Sequence, residues 1–216
     1  MYIYLQRIGI IGGEGVKRLV IIADNCPGQN KNNCVFKFCC WLVEAGWAKE
    51  VVMMFLIKGH TKNECGSKFN CLKKGLYSMI ICTEQGLDAA YTKQNADDIR
   101  LTQLPEGETR WKGFTEGLGR LYRDIDLGQS LKNHIFTFGG ANPNKTTVTR
   151  QLYRDDAKIQ YNMMPTARSR AGKLTQEGRV VLTRDLYALL PILPAPGSCS
   201  VKETDLYEKV NQIIQI

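Results

Sequence analysis

Leu19-Val20-Ile21-Ile22-Ala23 is an uncharged apolar run that stops at Asp24, and a polar segment from Asn25 to Asn33, interrupted by Pro27 and Gly28, follows at once. Five apolar residues rich in Val and Ile predict a buried strand, and the Pro/Gly-containing stretch predicts a sharp turn into a helix. Asn32 or Asn33 is placed to cap that helix. It runs to about Glu44 with Val35, Phe36, Phe38, Cys39, Leu42 and Val43 on its apolar side, and Gly46 stops it. Val51 to Ile57 is a second apolar run and a second predicted strand. A helix-length connection makes the two strands parallel. Their polar ends, Asp24 and the segment Gly59 to Glu64, are therefore predicted on one sheet edge, facing a common cleft of the kind that gathers ligands in open α/β sheets.

Downstream, Phe69, Leu72, Leu76 and Met79 recur at helical spacing between Cys65 and Met79, with Lys68, Lys73 and Lys74 on the other side. Glu84 to Gln94 predicts another helical piece and Ile99 to Leu104 a short strand. Gly107 to Gly117 reads as a loop or a turn of helix. His134 to Phe138, Thr146 to Tyr153 and Arg179 to Thr183 read as strands, with Gly139 to Asn144 as the turn between the first two. Met164 to Lys173 is a basic loop, Pro191 to Gly197 resembles a linker, and Glu203 to Ile214 predicts a closing helix. The chain thus divides into an α/β part, residues 1–104, and a looser α+β part, residues 105–216, which extends the same domain or forms a small subdomain.

Composition narrows the function classes. The 216 residues are 44% hydrophobic, ordinary for a folded domain, and no apolar run is long enough to span a membrane. Residues 1–16 lack the pattern of a secretory signal, so an intracellular place, nucleus or cytoplasm, is expected. A net charge of +8 favours an anionic partner, DNA first. The eight Cys form no C-x-x-C pair, and with two His in the chain they predict buried thiols and no structural zinc. Gly12-Gly13-Glu14-Gly15 precedes a strand and lacks the Lys-Ser/Thr ending of a phosphate loop, so it reads as a turn.

Ala23-Asp24-Asn25-Cys26-Pro27-Gly28-Gln29-Asn30-Lys31-Asn32-Asn33, followed by an aromatic-rich helix, a strand and Gly59-His60-Thr61-Lys62-Asn63, is similar to a domain family of eukaryotic transposable-element proteins. That family resembles the ribonuclease H-like DDE/D transposase core, a mixed sheet flanked by helices, and the likeness is carried by about Val16 to Gly75. The resemblance implies phosphoryl transfer on DNA by Mg²⁺ or Mn²⁺ held on a trio of acids, because such cations take hard oxygen ligands. It makes Asp24 the second acid and metal ligand, and places the third on the helix after Gly59-His60-Thr61. Gly66 occupies the position of that third acid. Glu64, the nearest carboxylate, lies two residues earlier, a rotation of about 200° on a helix. Upstream of Asp24 there is only Glu14, so the opening strands of the core are expected to be missing.

The resemblance with these departures implies an incomplete ribonuclease H-like core without strand-transfer activity, which contacts DNA through Gln29, Asn30, Lys31, Lys62 and Lys68. The alternatives are a metal-dependent nuclease or integrase fragment using Asp24 with Glu64 and His60, and a protein-interaction module. A core lacking its first strands also predicts an exposed edge, open to self-association or to a partner that completes the sheet. Each residue has a plainer role open to it as well. Asp24 fits a turn or cap, His60 a turn hydrogen bond, and Gln29, Asn30 and Lys31 ordinary loop positions.

Overall fold

The predicted strand, helix and strand are all present in the computed structural model. It describes residues 1–26, 30–56, 67, 70, 73–74, 77, 86, 89, 111–126, 133–139, 142–150, 158–164 and 174–193, with the backbone alone at 111, 142–150 and 158–159. A short helix α1 (Tyr2–Arg7) precedes β1 (Leu19–Ala23), α2 (Asn33–Glu44) and β2 (Glu50–Phe55). β1 and β2 are parallel, in register from Leu19 opposite Val51 to Ala23 opposite Phe55.

The ends of α2 follow from their sequence. Asn32 is extended, and its side chain accepts from the Val35 N–H at 2.9 Å, satisfying one of the donors that a helix start leaves open. At the other end Gly46 takes a left-handed φ of 81°, which an L side chain adopts only with strain, and the Gly46 N–H donates to the Val43 carbonyl. Between them Phe36, Cys39, Cys40 and Leu42 are fully buried.

The next elements are β3 (Trp111–Lys112), α3 (Phe114–Leu121), β4 (Asn133–Gly139), β5 (Asn142–Arg150) and β6 (Lys158–Asn162). β4 pairs antiparallel with β2, and β5 and β6 continue antiparallel, giving a mixed five-stranded sheet of order β1-β2-β4-β5-β6. Gly139 ends β4 at φ 97°. A Cβ there would lie 2.6 Å from the Lys49 carbonyl oxygen, so the close approach of β4 to the start of β2 depends on glycine. Because β4 runs against β2, with Met54 opposite Ile135, its first residues arrive at the edge where β1 and β2 end.

α4 (Gln176–Arg184), α5 (Leu186–Leu189) and β7 (Ile192–Leu193) complete the order, β7 pairing antiparallel with β3. α3 packs against α2, and α4 against α3. Phe36 meets Phe136 of the sheet at 4.6 Å between ring centroids, and Leu118, Leu121, Leu182, Leu186 and Leu190 join Trp41 in the same cluster. That one hydrophobic core draws on residues from Leu5 to Leu190, across the boundary expected at 104. The architecture is a mixed sheet with helices packed on it. Among the described residues no helix is long and apolar enough to cross a membrane.

Several expectations change. β1, read as a buried strand, has Val20 and Ile22 exposed and none of its five residues fully buried. Asn142 to Asn144, read as part of a turn, open β5, with Asn142 paired to Gly139. Arg179 to Thr183, read as a strand from its β-branched residues, lies within α4. Thr175 caps that helix by accepting from the Gly178 N–H at 3.1 Å, and Val180 and Val181 are exposed while Leu182 is buried. Gly107 to Gly117, read as a loop or a turn of helix, takes in the first residues of α3, and a Cβ at Gly117 would fall 2.2 Å from the Leu190 side chain, so glycine there allows the close approach of α3 to Leu190. Ile192 and Leu193, expected in a linker, form a strand. Ser67, Asn70, Lys73, Lys74 and Tyr77 are helical, as the spacing predicts. The strand Ile99 to Leu104 and the helix Glu203 to Ile214 lie outside the described residues.

Candidate functional site

Asp24 leaves the sheet where β1 ends and is exposed. The Asn30 side-chain amide donates to its carboxylate, drawing the turn closed on itself. Lys31 turns inward. Its residue is 1% exposed, and its ammonium donates to the Asn133 carbonyl at 2.6 Å and to Asn25 Oδ1 at 3.1 Å. The ammonium also lies 5.1 Å from the Phe55 ring centroid and 5.6 Å from that of Phe136. Burial pushes its pKa down to about 8.

Asn32 caps α2, and Asn33 closes the series. Asn33 Nδ2 donates to the Ile125 carbonyl at 3.2 Å, and its Oδ1 accepts from the Ile125 N–H at 3.0 Å. A side-chain amide here copies the pairing of a strand neighbour and ties the segment after α3 to the start of α2. The dense polar motif is therefore used largely to build the edge. Lys31, expected at DNA, has its ammonium on a carbonyl and an amide inside the fold. Asn30 likewise donates to Asp24.

Two residues that sequence reasoning passed over join this edge. His134 Nδ1 is 3.1 Å from the Phe55 carbonyl oxygen. Asn133 is 1% exposed, and neither polar atom of its side chain has a partner among the described residues. Their arrival depends on the antiparallel pairing of β4 with β2, for which the local pattern carries no signal. Gln29, His60, Lys62, Glu64, Gly66 and Lys68 lie outside the described residues, as does the predicted cleft partner Gly59 to Glu64.

The resemblance implies a divalent cation at Asp24, and the described groups around it do not fit one. Mg²⁺ or Mn²⁺ needs hard oxygen ligands and converging negative charge. The described edge offers one carboxylate that already accepts an amide N–H, and an ammonium bound to the neighbouring Asn25. Among the described residues no three His, Cys, Asp or Glu gather to hold a metal.

Exposed cations stand elsewhere. Lys17 and Lys49 flank the Val16–Ala48 bridge, at the opposite end of β1 and β2 from Asp24. On the helical turn after the predicted cleft, Lys73 and Lys74 are exposed and Tyr77 is 78% exposed, with the Lys73 ammonium 5.6 Å from its ring centroid. An aromatic face beside two cations is a surface that can stack a base and meet a phosphate.

The C-terminal end of α2 carries a second polar cluster. Arg179 makes a bidentate pair with Glu44, Nε to Oε1 at 2.8 Å and Nη2 to Oε2 at 2.7 Å, while Nη1 donates to the Leu121 carbonyl at 2.7 Å. The Tyr122 hydroxyl donates to Glu44 Oε2 at 2.5 Å, and the guanidinium lies over the Tyr122 ring. Burial first, and then the Glu44 carboxylate, push the Tyr122 phenol well above its ordinary value. A cleft of about 440 Å³ opens beside this cluster, lined among others by Trp47, Met164, Gln176 and Arg184.

A family model described as a domain of unknown function (DUF7869) matches residues 12–155, more than half of the chain and a span that takes in β1 through β5. No curated protein matches, and no solved structure matches.

Proposed function

We propose that this chain, which belongs to the DUF7869 family of domains of unknown function, is a transposase-derived domain that contacts nucleic acid and does not carry out strand transfer. The observation that carries the nucleic-acid part is Tyr77, exposed beside Lys73 and Lys74. Base stacking on an exposed aromatic and phosphate attraction to adjacent cations act together without needing a sequence-specific site. The net charge of +8 adds to the attraction. The absence of strand transfer rests on Asp24, whose carboxylate is engaged by Asn30 and stands next to an ammonium-bound amide. The lineage rests on the likeness of Ala23–Asn33 and Gly59–Asn63 to transposase cores.

Fluorescence anisotropy with a short single-stranded DNA at low salt tests the reading. Affinity falls steeply with added salt, and Tyr77→Ala weakens binding about tenfold, within the ~1–3 kcal/mol of one lost stack. No binding at low salt, or binding indifferent to salt and to Tyr77, defeats it. An incubation of supercoiled DNA with Mg²⁺ or Mn²⁺ tests the other half: nicking that Asp24→Asn removes would establish the nuclease alternative.

A further inference from the structure

β1 is the end strand of the sheet, and among the described residues it pairs on one side only, with β2. The Ala23 carbonyl points to that side, where the Leu56 N–H donates to it at 3.0 Å. Backbone groups of successive residues in a strand point to opposite edges. Leu19 and Ile21 therefore face β2 together with Ala23, and Val20 and Ile22 direct their N–H and C=O outward. The same two residues carry exposed apolar side chains, Val20 48% and Ile22 61% exposed. Proteins usually blunt such an edge with Lys, Pro or a bulge, and the five residues of β1 contain none of these.

We propose that this edge pairs with the β1 edge of a second copy of the chain, antiparallel about a two-fold axis at Ile21, joining two sheets into one. In this register Val20 of each copy exchanges both backbone hydrogen bonds with Ile22 of the other, and Ile21 faces itself across the axis. The flanking charges select both the occupant and the register. Centring on Ile21 puts Arg18 of each copy opposite Asp24 of the other. Centring on Val20 would put Arg18 opposite Ile22, and centring on Ile22 would put Asp24 opposite Val20. Arg18 keeps about half of its side chain exposed while it bridges Glu50 at 2.7 Å, and Asp24 is exposed. On the outer face the Val20 and Ile22 side chains of both copies form one continuous apolar strip, a cross-strand arrangement that β-branched residues favour.

Sedimentation equilibrium of the full chain, together with amide hydrogen exchange at low and high protein concentration, tests the proposal. The expected result is a dimer in which exchange at the Val20 and Ile22 amides slows as concentration rises. Ile22→Lys, at a position the folded copy leaves exposed, raises the dissociation constant about tenfold or more. A chain that stays monomeric, a dimer indifferent to Ile22→Lys, or Val20 and Ile22 amides that exchange equally fast at both concentrations overturns it. The exchange measurement needs no variant, so a folding defect in Ile22→Lys does not blunt the test. The nucleic-acid reading, which rests on Tyr77, stands or falls separately.

Discussion

The two ends of α2 solve the same problem in opposite ways. Each must keep polar side chains next to a hydrophobic core without leaving them unpaired. At the N-terminal end several of the bonds are local: Asn30 reaches back to Asp24, Lys31 to Asn25, and Asn32 forward to Val35. At the C-terminal end Glu44 takes its partners from Tyr122 and Arg179, 78 and 135 residues away. The first arrangement shows in the sequence as a compact motif. The second shows as nothing more than a glutamate at the end of a helix.

The contrast breaks most visibly at Arg179. Replacing it with Met leaves Glu44 a largely buried, uncompensated carboxylate and frees the Leu121 carbonyl, so Arg179→Met is expected to cost about 3 kcal/mol in urea denaturation. A loss under ~1 kcal/mol would mean that the long-range cluster is ornamental. Asn33→Ala comes next, because it removes both bonds to Ile125. A loss of about 2 kcal/mol is expected, and Asn33→Asp, which keeps only the acceptor, recovers part of it. Asn32→Ala removes a single cap bond and costs about 1 kcal/mol, while Asn32→Ser is close to neutral. If Asn32 and Asn33 gave equal losses, the motif would be a simple cap and the tether to Ile125 would count for little.

The smallest effect is a slope with pH. The Lys31 pKa falls from 10.5 in the unfolded chain to about 8 in the fold, so above pH 8 the unfolded state holds more protons at this site. Stability from Lys31 therefore rises as pH goes from 8 towards 10.5, and the deficit is complete below 8. Cys39 and Tyr122, both raised by burial, act in the opposite sense once their unfolded forms begin to ionise. The comparison to make is the urea midpoint of the wild type against Lys31→Met between pH 7 and 9, where only the wild type should gain with pH. Parallel curves would place the Lys31 ammonium in water.

Local pattern was enough for the elements whose causes are local. The boundaries of β1, the cap and stop of α2 and the parallel sense of β1 and β2 all follow from residues within a few turns of one another. It misled where propensity and packing disagree. Val180 and Val181 favour a strand, yet the Thr175 cap and the burial of Leu182 hold a helix. Gly117 lies in a stretch whose pattern suggests a loop or a turn of helix, and its missing Cβ lets the full helix α3 approach Leu190.

The candidate site divides along the same line. Local pattern alone shows that Asp24 ends a strand and that a polar motif and a capped helix follow it, because strand alternation and helix capping act over a few residues. Long-range packing turns Lys31 inward, pairs Asn33 with Ile125 and brings Asn133 and His134 to the same edge. Those outcomes depend on β4 returning antiparallel to β2, a pairing between segments some eighty residues apart. Such a pairing is fixed by the burial of Phe136 and Phe138 against Phe36, and not by any preference written into either segment alone.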